Sequence, residues 1–99
     1  MSEKEDILNF LREHKDELSK RFYIKNIAIF GSVAREEENK NSDIDLMIEF
    51  NKDAKDFYKT KKLLKEYLKN HLKRDIDLAN VKYLKSFVKD EILKEAEYA

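Results

Sequence analysis

The stretch IKNIAIFGSVAREEENKNSDIDLMIEF, residues 24–50, decides the fold. Residues 24–30 are mostly β-branched or aromatic and too few for a helix, so they are expected to form a buried strand that ends at Gly31. Residues 32–38 read as a short turn of helix, and Asn39, Lys40, Asn41 and Ser42 as a polar loop. Over residues 43–50 the alternation is strict. Ile44, Leu46, Ile48 and Phe50 face one way, and Asp43, Asp45, Met47 and Glu49 the other. The result is a strand with one apolar side and one largely acidic side.

Outward from this centre, the flanks read mostly as helix. Ile7, Phe10, Leu11, Leu18 and Phe22 recur at three- and four-residue steps and predict a helix over 6–22, with 2–6 as a frayed lead-in. Phe57, Leu64, Leu68 and Leu72, helped by Leu63 and Tyr67, predict a second over 53–73. His14 and His71 are read as packed or boundary residues rather than as ligands. Residues 75–79 alternate again, with Ile76 and Leu78 opposed to Asp75, Asp77 and Ala79. Asn80 then caps a last helix over 81–98, whose stripe is Leu84, Phe87, Val88, Glu91, Ile92 and Glu95. The order α-β-α-β-α-β-α predicts an α+β fold with a three-stranded mixed sheet and helices on one face. The open side of the sheet carries the carboxylates.

Length and composition set limits on this reading. At 99 residues and 11.9 kDa the chain is expected to be a single domain, 1–99. Charged residues make up 42%, yet 21 Lys and Arg balance 21 Asp and Glu. That balance argues against a general nucleic-acid or membrane-surface binder, which needs a positive excess on at least one face. The absence of cysteine excludes a disulfide framework and a thiolate metal site. With no leader-like or membrane-spanning apolar run, the chain is expected to be cytoplasmic. There is one glycine and no proline, where average usage predicts ~7 and ~5. The lysine-rich helix faces are read as solvated surface.

Asp43 and Asp45 stand two apart on one strand, so their side chains share a face, with Cα atoms about 6.5 to 7 Å apart. Asp77 or Asp75 adds a third carboxylate if the two acidic strands are neighbours. Carboxylates aimed at one spot repel by ~1 kcal/mol per pair at 4 Å in water, and by ~4 kcal/mol at an effective dielectric of 20. A hard divalent cation reverses that sign, and Mg²⁺ suits few carboxylates, several waters and a phosphate-bearing substrate. Gly31-Ser32 sits where a strand passes into a short helix. Glycine there allows close approach of an anion to unpaired amide groups, and the serine hydroxyl adds a donor. Singly, each feature has a plainer explanation as a turn or a surface edge. Together, Gly31-Ser32, ten residues and Asp43-x-Asp45 would arise by chance on the order of once in a thousand chains of this size.

The sequence resembles the minimal nucleotidyltransferases of the DNA polymerase beta superfamily, in particular the antitoxin partners of HEPN-domain toxins. The likeness rests on GSVARE (31–36), SDIDLMIEF (42–50), RDIDLAN (74–80) and ILKEAEYA (92–99), and so runs nearly the whole chain. It implies a small polymerase-beta-like fold, ATP as substrate and Mg²⁺, as two ions, for cofactor. Carried over by position, Gly31 and Ser32 hold the triphosphate and Asp43 and Asp45 ligate Mg²⁺. Asp77 completes the metal site and activates the attacking hydroxyl. It is chosen over Asp75 because the family's third aspartate is followed directly by an apolar strand residue and then the final helix, as in Asp77-Leu78-Ala79. Arg35 matches an arginine common after the Gly-Ser pair and either touches phosphate or clamps the acidic loop. Many relatives carry glycine where Glu36 stands and proline near Lys40, which bears on loop shape and substrate access.

The implied reaction moves AMP from ATP to a hydroxyl of the partner HEPN toxin, a tyrosine being the expected acceptor, and releases pyrophosphate. The protein is then an antitoxin, able to form a hetero-oligomer with its toxin and without direct nucleic-acid or membrane binding. Two other readings share the motif: a module that neutralises the toxin by covering it, and nucleotidyl transfer to a small molecule. The second lacks the extra domain that such enzymes use.

Overall fold

The computed structural model describes residues 2–37 and 43–99. The expected loop over 39–42 and the departure near Lys40 lie outside the described residues; the short helix expected over 32–38 already ends at Ala34, with Arg35 as its C-cap. The elements run α1 (Glu3–Glu13), α2 (Lys15–Phe22), β1 (Ile24–Phe30), α3 (Gly31–Ala34), β2 (Ile44–Phe50), α4 (Phe57–Leu72), β3 (Ile76–Asn80), a 3₁₀ turn (Val81–Tyr83), α5 (Ser86–Glu95) and β4 (Glu97–Tyr98). The α+β fold with a mixed sheet stands as read, with one more strand than expected. The sheet order is β3-β2-β1-β4. β1 is antiparallel to both β2 and β4, and β2 is parallel to β3.

The core lies on the apolar face. Ile27 and Ile29 of β1, Leu46 and Ile48 of β2 and Ile76 and Leu78 of β3 are buried against Leu11, Leu18, Phe22, Leu64 and Leu68 from α1, α2 and α4. Each such side chain contributes about 1.5 to 3 kcal/mol on leaving water. The face bearing Asp45 is not bare. Ala28 and Met47 sit on it in register and are both buried, and α5 packs against β1 and α3.

Three further helix boundaries differ from the sequence reading, each for a local reason. The helix expected over 6–22 is two. Ser2 caps α1 through the Glu5 amide (3.2 Å), so residues 3–6 are helical rather than frayed. At His14 the backbone leaves the helical region, and the ring donates from Nδ1 to the Phe10 carbonyl at 2.8 Å while stacking on Phe10. The His14 amide donates to the same carbonyl at 3.1 Å, so the break falls where one acceptor is shared by ring and backbone. The helix expected from 53 starts at Phe57, because the Asp56 carboxylate accepts from the Lys59 amide at 3.0 Å. The last helix is broken as well. Asn80 does cap, accepting from Lys82, but what it caps is the 3₁₀ turn; Leu84 and Lys85 are extended before α5 begins. After α5 the chain turns into β4, where Tyr98 pairs with Ala28 and Glu97 with Ile29. No helix among the described residues is long and apolar enough to cross a membrane.

Candidate active site

β1 runs extended to Phe30, and Gly31 turns the chain into α3 with φ +74°. An L side chain rarely adopts that φ. A second constraint falls on the same residue. A Cβ placed on Gly31 would lie 3.0 Å from Cγ of Asp45 and 3.1 Å from its Cβ, and would run into Oδ2. Glycine is thus required both by the turn and by the carboxylate beside it. Ser32 follows on α3, half-buried, and its carbonyl accepts from the Glu37 amide at 2.9 Å.

Sheet register brings the carboxylates together. Phe30 of β1, Asp45 of β2 and Asp77 of β3 are consecutive partners across three strands, so they form one row on one face. Asp43 precedes β2 and is exposed. Burial raises the pKa of the Asp45 carboxyl above the ordinary aspartate value, and the charges of Asp77 and Asp43 push it further up; the Arg35 guanidinium opposes them. Asp75 behaves differently from Asp77. It stands before β3 and forms an ion pair with Lys69 at 3.0 Å.

Arg35 closes the other side. Its Nε donates to Glu37 at 3.1 Å and its Nη1 to Glu95 at 2.8 Å. The other oxygen of Glu95 accepts from the Gly31 amide at 2.9 Å. These bonds from Arg35 and Gly31 lower the pKa of Glu95, so its carboxylate is the charged form at neutral pH. Glu95 is the participant that the motif reading did not single out. Its signal was present in the sequence, since a glutamate on the apolar stripe of the last helix needs a polar partner.

Among the described residues, no three His, Asp or Glu side chains are gathered closely enough to hold a metal ion as they stand. The donor chemistry nevertheless suits a hard cation. Asp43, Asp45 and Asp77 offer only oxygen: Asp45 and Asp77 pair across adjacent strands, Asp43 stands just before β2, and the like charges of Asp77 and Asp43 act on Asp45. A divalent ion would relieve that repulsion.

Residues 11–99 match the family model described as a nucleotidyltransferase domain. Protein adenylyltransferase MntA of Thermococcus cleftensis is 35% identical over 99 residues, covering 95% of this chain and 93% of that protein. A Methanocaldococcus jannaschii protein named as a candidate protein adenylyltransferase is 45% identical over 73 residues, 74% of this chain and 83% of that protein. Among solved structures, a candidate minimal nucleotidyltransferase superposes with a TM-score of 0.74 at 28% identity, covering 91% of this chain and 93% of that one. A chain from the complex of tri-AMPylated Shewanella oneidensis HEPN toxin with MNT antitoxin gives 0.63 at 17% identity, covering 92% and 70%, a likeness of fold. With the match spanning residues 11–99, the chain belongs to the nucleotidyltransferase domain family, and relatives of nearly the same length are named protein adenylyltransferases.

Proposed function

We propose that this protein is an antitoxin that transfers AMP from ATP to a tyrosine hydroxyl of a HEPN-type toxin and silences it. The observation that carries the reading is the row of Asp45 and Asp77 set against the Gly31 turn. It places acidic oxygens beside a backbone that can be closely approached. The adenylyltransferase name of the Thermococcus relative and the AMPylated toxin bound by an MNT antitoxin support the reaction class and the partner.

In this reading Asp43, Asp45 and Asp77 hold Mg²⁺. The ions, when bound, neutralise the triphosphate and the charge that builds as pyrophosphate departs. Gly31 and Ser32 seat the phosphates, and Arg35 is within reach of them on the far side of the turn. Asp77, on the strand next to Asp45 and exposed to an incoming acceptor, orients the hydroxyl and takes its proton. The new bond joins the acceptor oxygen to the α-phosphorus. The bond from that phosphorus to the bridging oxygen breaks, and the pyrophosphate carries the electron pair away.

The test is to incubate the protein with its cognate HEPN toxin and α-labelled ATP. Label should enter the toxin, and Asp45→Asn or Asp77→Asn should lower its rate by about 100-fold or more. Label transfer that survives both substitutions would sink the assignment. Neutralisation of the toxin by the label-dead variants at equal stoichiometry would assign the antitoxin effect to binding instead.

A further inference from the structure

The carboxylate of Glu95 takes up two anion-receiving groups at once, the Gly31 amide at 2.9 Å and the Arg35 guanidinium at 2.8 Å. We propose that Glu95 is a built-in competitor for the triphosphate, latched across the Gly31 turn in the nucleotide-free protein and displaced when ATP enters. This inference rests on the nucleotide reading of the site given above.

Three features of the chain support a latch. The first is exclusivity. An amide N–H donates well to one acceptor, so a phosphate oxygen that takes the Gly31 amide must remove the Glu95 oxygen from it. The second is charge. Glu95 lies close enough to be felt at Asp45, alongside Asp77 and Asp43, so its carboxylate adds to the negative field that an incoming polyanion must overcome.

The third is the mounting of α5. Glu95 is the last residue of that helix and stands immediately before Ala96 and β4. β4 pairs with β1, Lys4 holds Glu97 at 3.0 Å, and the Ala99 amide donates to the Ile27 carbonyl at 3.0 Å. These contacts deliver Glu95 to the end of β1, where Gly31 follows Phe30. The helix itself buries no residue, and Phe87 on it is 69% exposed. The Glu95 side chain is 29% exposed and leaves a helix with no fully buried residue, so its carboxylate can swing off the turn without opening the core.

The experiment titrates Mg-ATP into the wild-type protein, Glu95→Ala and Glu95→Gln by calorimetry, with thermal melts to show that each variant is folded. Glu95→Ala should bind about 5-fold more tightly, equivalent to about 1 kcal/mol. Glu95→Gln, which keeps an oxygen for Gly31 but not the charge, should tighten less. A second readout uses the fact that Gly31 is the only glycine. In a glycine-¹⁵N-labelled sample its amide is the single signal. That signal should move upfield in its proton dimension in Glu95→Ala, and should shift in the wild type as Mg-ATP is added. Binding by both proteins with Glu95→Ala no tighter than wild type overturns the latch alone. An unmoved Gly31 signal in Glu95→Ala does the same. Binding by neither protein overturns the nucleotide reading and the latch with it.

Discussion

The carboxylate of Asp45 fills the space that any side chain on Gly31 would need. Gly31→Ala therefore meets two costs. Its φ of +74° strains an L residue, by roughly 1 to 2 kcal/mol, and its methyl displaces the Asp45 carboxylate. We expect a loss of about 2 to 4 kcal/mol in denaturant unfolding. Asp45→Ala introduced on top of Gly31→Ala should recover part of that loss, because the clash goes while the backbone strain stays. Strictly additive effects in the double-mutant cycle would show that the two residues do not share the space.

Asp45→Asn should stabilise the metal-free protein. Burial and the charges of Asp77 and Asp43 hold the Asp45 carboxyl above its ordinary pKa. A carboxyl raised in the folded state favours folding below its unfolded pKa and loses that contribution as pH rises through the folded pKa. At neutral pH its charge is therefore a net cost, of about 0.5 to 1 kcal/mol for a group this accessible. The melting temperature of the variant should be a few degrees higher at pH 7. The gain should shrink on acidification and disappear below about pH 4, the ordinary aspartate range. A lower melting temperature for the variant at pH 7 would mean that Asp45 has a structural task instead.

The same substitution should change sign when metal and nucleotide are supplied. A ligand that binds only the folded state stabilises it by RT ln(1 + [L]/Kd), about 2.7 kcal/mol at a hundredfold excess over Kd. If Asp43, Asp45 and Asp77 hold Mg²⁺, saturating Mg-ATP should raise the wild-type melting temperature past that of Asp45→Asn. Chelation with EDTA should restore the original order. Melting curves that keep one order with and without Mg-ATP would remove Asp45 from the metal site.

Most of what positions the site was legible because it is local and periodic. β1 announces itself by its apolar run and β2 and β3 by alternation, and the parallel register of β2 and β3 then sets Asp45 and Asp77 in one row. What the sequence hid depends on contacts between distant residues. Nothing in ILKEAEYA says that its last residues leave the helix to pair with Ala28 and Ile29. A two-residue strand has no period to read, and its pairing partner lies some seventy positions away. The stripe marked Glu95 as needing a polar partner, but its partners Gly31 and Arg35 lie some sixty positions away and leave no local sign. His14 shows a different limit: the helical stripe continues through it without a change of phase, and only the bond from its ring to the Phe10 carbonyl marks the break between α1 and α2.

A chain with one glycine must end its helices on other residues. Lys73 closes α4 in the left-handed conformation at φ +61°, with its amide donating to the Lys69 carbonyl at 2.8 Å. Tyr23 ends α2 the same way at φ +58°. Glycine is the residue that adopts this conformation without a Cβ penalty, which for other residues is roughly 1 to 2 kcal/mol. A direct Lys73→Gly comparison mixes two effects, because a cation near a helix C-terminus is itself favourable. Comparing Lys73→Gly with Lys73→Ala removes the charge from both and leaves only the backbone. Lys73→Gly should be the more stable of the two by about 1 kcal/mol, worth about 4 to 8 °C in a domain of this size. That order is the reverse of a helix interior, where glycine is the worse residue by about the same amount. An alanine variant as stable as the glycine one would show that residue 73 relaxes out of the left-handed region in solution.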